Sequence, residues 1–144
     1  MRYAPRAVVV YAGTNDLALD VAPSVVLDRF RCLRHRLGAG LGWSTPVLFV
    51  GVVPTPSRWA AWPVARTFNA AVRALAADDP GLVYVDVAAP LLATGSPPDA
   101  ALFVADGLHL CERGYALFGA PIRAALASVA RPLPHASPPS RRSR

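Results

Sequence analysis

Lysine is absent from this 144-residue chain, and glutamate occurs once, at Glu112. All fifteen basic side chains are arginine, a compositional habit and not a functional signal. Charged residues make up 17% of the chain against 53% hydrophobic, a balance that excludes disorder over most of its length. Two cysteines, Cys32 and Cys111, are too few for a disulfide framework or a cysteine-based metal site. Both fall in helical segments, where a small buried thiol is the expected role. No apolar run reaches the roughly eighteen residues that a membrane span requires. The N-terminus also lacks the apolar core and small-residue cleavage site of a signal peptide, so the chain as written reads as cytoplasmic. Neither a metal nor an organic cofactor is called for.

The formal charge of +6 raises the question of a nucleic-acid partner. Four of the arginines (Arg131, Arg141, Arg142 and Arg144) lie past the last helical pattern, in a stretch rich in proline and serine. Without them, eleven basic side chains face nine acidic ones, a net charge of +2. A specific nucleic-acid footprint needs a basic patch on the folded surface. The one local cluster, Arg29, Arg31, Arg34 and Arg36, reads as a solvated helix face, so no specific nucleic acid is expected. The length suits one domain over residues 1–130, followed by a disordered tail over 131–144 that contains His135.

Three apolar runs, Ala7 to Ala12, Pro46 to Val52 and Leu82 to Val87, do not alternate polar with apolar residues. Strands buried on both faces read this way, as in parallel sheets. Between and after them come three helical stripes. The first is Val26, Phe30, Leu33 and Leu37, stopped by Gly38 to Gly42. The second is Val64, Phe68, Val72 and Leu75, with Ser57 as its expected N-cap, and the third is Tyr115, Phe118, Ile122 and Leu126. Strand alternating with helix predicts βαβ crossovers and a parallel sheet with helices packed on it.

Ligands of such sheets bind beyond the carboxyl ends of the strands, and the first run leads there into Gly13-Thr14-Asn15-Asp16. A glycine permits a sharp turn, and an asparagine amide can donate to an oxyanion. The same residues also make ordinary turns. Near the other end stands Asp106-Gly107-Leu108-His109, just before a helix. A carboxylate on one ring nitrogen can orient an imidazole whose other nitrogen accepts a proton from a hydroxyl. A hydrogen-bonded loop histidine would look the same. The order and placement of the two motifs together are more specific than either alone.

Gly-x-Asn-Asp after a strand and Asp-x-x-His before the last helix resemble the third and fifth blocks of the SGNH (GDSL-type) hydrolases, a family of serine esterases and lipases. Tyr11 to Leu17, Pro54 to Trp59 and Gly114 to Phe118 extend the resemblance, which runs from about Tyr3 to Leu126. It implies a flavodoxin-like three-layer α/β/α sandwich with a parallel sheet, and an activity on small-molecule esters. It assigns His109 as the base, Asp106 as its orienting acid and Asn15 as the oxyanion donor. Gly13 and Asp16 support the site, Asp16 by bonding nearby backbone. Cys111 stands where many relatives place a helix-capping asparagine.

One departure is large. The family's Gly-Asp-Ser block, which carries the nucleophile, is absent, so the fold is expected to be N-terminally truncated and inactive as written. Ser57 follows a strand and opens a helix, but has no flanking glycine to make a nucleophile elbow. The alternative function is a non-catalytic binding or interaction domain that keeps the hydrolase fold. A missing neighbouring strand would leave one edge of Ala7 to Ala12 open to self-association.

Overall fold

A computed structural model describes residues 4–129. The elements run β1 (Val8–Val10), α1 (Thr14–Ala18), α2 (Pro23–Leu41), β2 (Val47–Val50), a 3-10 segment (Pro56–Ala61) and α3 (Trp62–Asp78). There follow β3 (Leu82–Val85), α4 (Ala88–Leu92), a short 3-10 turn (Ala100–Leu102) and α5 (Glu112–Val129). The three strands form one parallel sheet in the order β1-β2-β3, with Val8 level with Val47 and Val47 level with Leu82. The predicted strands are thus present, trimmed at their ends.

Successive strand residues point to opposite faces, and both faces are covered. Val47 and Phe49 pack with Val26, Phe30, Phe68 and Val72 from α2 and α3. Leu48 and Val50 pack with Leu91 of α4 and with Leu117, Phe118 and Ile122 of α5. Helices on both sides of a parallel sheet make the expected flavodoxin-like three-layer sandwich. Phe49 is its centre, with the ring of Phe30 at 4.5 Å and that of Phe68 at 5.8 Å, both edge-on. Burying a side chain of this size contributes about 1.5–3 kcal/mol.

The helix faces depart from the expected stripes where polar groups hold them. Arg34 is not solvated: it is 4% exposed and donates from Nε and NH2 to the two carboxylate oxygens of Asp79 at 2.8 and 2.9 Å. Those bonds, first among the causes, hold the Asp79 carboxyl below its ordinary pKa. The pair ties α2 to the turn before β3, while Leu33 is left half-exposed. In α3 the buried positions are Trp62, Ala65, Phe68, Asn69 and Val72, and Val64 faces outward. Ser57 caps no helix. Pro56 opens a 3-10 turn that kinks at Arg58, and α3 begins only at Trp62, with a proline in its first turn. Cys32 is exposed and Cys111 partly so, which corrects the expectation of two buried thiols. The arginine-rich segment from Arg131 and His135 within it lie outside the described residues.

Because Arg34 is buried, deleting its partner leaves an uncompensated charge in the core. Asp79→Ala is expected to lower unfolding free energy by about 3 kcal/mol or more, measured by urea denaturation.

Candidate active site

The chain leaves β1 through Gly13, whose φ of 100° lies in the left-handed region. A Cβ there would stand 3.1 Å from Val26 Cγ1 and 3.4 Å from the ring of Phe68. Conformation and space both call for glycine. The turn starts α1, in which Thr14, Asn15 and Asp16 occupy the first turn at the carboxyl end of the sheet. Asp16 does not bond backbone through its side chain as expected; its carboxylate accepts from Arg29 NH1 at 2.7 Å and ties α1 to α2. It supports the turn as an ion pair.

Asn15 is fixed from an unexpected direction. Arg58 NH1 donates to Asn15 Oδ1 at 2.9 Å and to the Thr14 carbonyl at 3.4 Å. A guanidinium can only donate, so its partner must be the amide oxygen. That settles which way the amide points and leaves its NH2 to donate elsewhere. Asn15, Ser57 and Arg58 line an open depression of about 530 Å³. The contact of Arg58 with Asn15 spans 43 residues. No local pattern signals such a pairing.

The second motif is a loop folded on its own aspartate. Asp106 Oδ1 accepts the backbone N–H groups of Leu108 and His109 at 2.8 and 2.9 Å, and Gly107 supplies the turn with φ 63°. The other carboxylate oxygen meets His109 Nδ1 at 2.7 Å. An ionised carboxylate accepts only, so Nδ1 carries the proton, and in the neutral ring Nε2 keeps its lone pair. A short antiparallel bridge between Phe103 and Leu110 closes the loop, and the Val104 N–H donates to the His109 carbonyl at 2.8 Å. Cys111, just before α5, turns its thiol toward the Ala101 carbonyl at 3.3 Å.

One segment touches both motifs. The Ser57 N–H donates to the Gly107 carbonyl at 3.1 Å, while its neighbour Arg58 holds Asn15. Ser57 therefore meets the second motif through its backbone, and the imidazole bonds to Asp106. The loop after β2 thus links the turn after β1 to the loop before α5.

The bonds to Asp106 lower its pKa to about 2, with the His109 side chain the largest cause, followed by the two backbone N–H groups. The direction fixes the pH window. A carboxyl depressed below its unfolded value adds stability that is fully present above that value, and loses it as pH falls toward about 2. In a carbon-detected NMR titration, Asp106 is expected to titrate near 2, and in His109→Ala to move back toward 3.8.

No membrane-length apolar helix and no metal-holding cluster of histidine, cysteine and acidic residues occurs among the described residues. The fold is similar to that of a GDSL-like lipase from Bacteroides thetaiotaomicron VPI-5482, with a TM-score of 0.70 and 22% identity; the match covers 86% of this chain and 63% of that one. It is also similar to a lipase/acylhydrolase from Enterococcus faecalis, with a TM-score of 0.67 and 20% identity, covering 90% of this chain and 65% of that one. The chain thus spans less than two thirds of the length of either neighbour. Among curated proteins none matches it. The GDSL-like lipase/acylhydrolase family itself matches over residues 1–117, which include the turn after β1, the loop after β2 and the Asp106–His109 loop, and the chain belongs to that family.

Proposed function

We propose that this chain carries the base, the orienting acid and the oxyanion asparagine of a Ser-His-Asp ester hydrolase, without its nucleophile. The observation that supports this best is the 2.7 Å bond from His109 Nδ1 to Asp106, which leaves Nε2 free to take a proton. The amide of Asn15, held at its oxygen by Arg58, supplies a preorganised donor. In a complete site, a serine hydroxyl attacks the acyl carbon of a small-molecule ester while Nε2 of His109 accepts its proton. The tetrahedral oxyanion is stabilised by the Asn15 NH2 and backbone N–H groups. The imidazolium then returns the proton to the departing alkoxide, and the acyl-serine is hydrolysed by water activated in the same way. Asp106 keeps the ring in its working tautomer throughout.

The 144 residues contain no Gly-Asp-Ser, which favours a second reading, that of a non-catalytic binding domain on the hydrolase fold. Both readings expect the purified chain to hydrolyse p-nitrophenyl acetate at the buffer rate. Turnover above that rate, abolished in Ser57→Ala, would reverse the assignment of Ser57 as a backbone contact.

The two readings separate when a Gly-Asp-Ser-bearing segment is supplied, either from reading frame upstream of Met1 or from a family member. The hydrolase reading expects activity that His109→Ala nearly abolishes and Asn15→Ala lowers by about 10²–10³-fold. Arg58→Ala is expected to cost less, about tenfold, because it removes the bond that holds the donor and not the donor. A fully active His109→Ala variant would remove His109 from the role of base.

A further inference from the structure

Trp62, Arg66, Asn69, Ala70 and Arg73 follow helical spacing along one face of α3. That face stands against Tyr84 of β3, Asp86 just beyond it, and the start of α4, with a cavity of about 240 Å³ between them. The cavity lies at the edge of the sheet opposite β1, and every residue that lines it falls between Trp62 and Leu92. Asn15, Arg58 and the Asp106–His109 loop take no part in it. Packing fixes its walls. Trp62 is buried and, with Ala70, Ala88 and Leu92, gives an apolar lining. Tyr84 is seated close over β2, so that a Cβ on Gly51 would overlap its hydroxyl. The guanidinium of Arg73 lies 4.8 Å over the Tyr84 ring.

The charges of the lining do not balance. Asp86 is its one acid, and both carboxylate oxygens are occupied. Oδ2 accepts from Arg73 NH2, while Oδ1 accepts the backbone N–H groups of Ala88 and Ala89 at 3.1 and 3.0 Å. Asn69 is committed elsewhere, its carboxamide bonded to both backbone groups of Val52. Arg66 therefore has no hydrogen-bond or ion-pair partner among the described residues. Two guanidiniums against one carboxylate leave the cavity with a net charge of +1.

We infer that this cavity is a binding site for a small monocarboxylate with an apolar body, its carboxylate on Arg66 and its body against Trp62, Ala70 and Leu92. A guanidinium presents paired N–H donors that match the two oxygens of a carboxylate. Arg73 stands two turns along the helix from Arg66, about 10 Å at 1.5 Å per residue. It is neutralised by Asp86 and adds no second anion-binding charge. A dianion such as phosphate would meet a single uncompensated charge and gain nothing from the apolar wall. Sites for drug-sized ligands run to about 300–1,000 Å³, so the occupant here is smaller, of the size of benzoate or a short-chain acid. The site stands apart from the ester-hydrolase reading, with which it shares no residue.

Benzoate is the probe, titrated into the full chain and followed by heteronuclear NMR at the Trp62 indole N–H and the Arg66 Nε–H. The expected result is saturable shifts at both, with a Kd of about 1–10 mM, the range open to so small a ligand. Benzamide has the same body without the charge and is expected to bind about tenfold more weakly or worse. Inorganic phosphate is expected not to displace benzoate. Arg66 is exposed, so Arg66→Gln is expected to keep the fold and to lose about tenfold or more in affinity. Ala70→Leu, also at an exposed position, fills the cavity without altering its charge and is expected to abolish binding. The amide spectrum verifies that each variant is folded. The absence of any saturable shift overturns the site. So does benzoate binding that survives both folded variants, benzamide binding as tightly as benzoate, or displacement by phosphate. Shifts confined to Asn15, Arg58 and His109 would place the ligand at the candidate active site and equally overturn it.

Discussion

A strand buried on both faces and paired along both edges has no freedom of register, and β2 is held in this way. Its four residues are at most 1% exposed, with β1 on one side and β3 on the other. A slip of one residue would move Phe49 out of its ring cluster and exchange the two faces of the core. The constraint extends past the strand's end. Val52 finds no strand partner there; its N–H and C=O are both bonded to the side chain of Asn69 on α3, at 2.9 and 2.8 Å. A buried backbone left without such partners would cost about 1–3 kcal/mol per group. The carboxamide therefore continues the ladder by one residue and aims the chain that leads to Pro54.

That aimed chain is what turns two local motifs into one site. The turn after β1 and the loop before α5 are distant in sequence, and each is internally ordered by its own backbone. Their connection is the segment after β2, where Ser57 bonds to Gly107 and Arg58 bonds to Asn15. Both bonds follow from where β2 ends. The Asp106–His109 pair is solvent-exposed, with the imidazole 69% accessible, so it adds little to stability. Its geometry is kept instead by the backbone N–H groups bound to the same carboxylate.

The sheet was legible because its signal is local. A short run rich in valine and leucine without alternation reads as a parallel strand, and all three such runs are strands, although β1 is only half-buried. The Gly13 turn and the Asp106–His109 pairing were legible too, since each lies within a few residues. What the sequence concealed depends on partners far along the chain. Arg34 sits among surface-type arginines, and only Asp79, 45 residues later, makes it a core residue. Arg58 looks like a helix-opening residue until its contact with Asn15 is seen. Helical periodicity erred by one position at Leu33 and Val64 for the same reason. The face of a helix is set by its neighbours, and Arg34 and Asn69 each claimed a place on it through a polar bond.

These long-range polar bonds share a direction. Arg34 with Asp79, Asn69 with Val52, Arg29 with Asp16 and Arg58 with Asn15 each tie a helix or loop on the α2 and α3 side to a strand end or to the turn beyond one. The opposite layer is different. α5 packs on the sheet through apolar contacts, and only Gly114 is fully buried in it, at a close approach to the Leu102 carbonyl. Apolar contact is non-directional, whereas a bidentate or amide bond fixes angle as well as distance. One layer therefore sets where the strand ends point, and the other supplies cover. Asn15 belongs to the directed side. His109 hangs from the start of α5 and depends for its orientation on its own loop and on the single bond from Ser57. The Ser57–Gly107 contact is thus where the directed half of the molecule fixes the half that is merely packed.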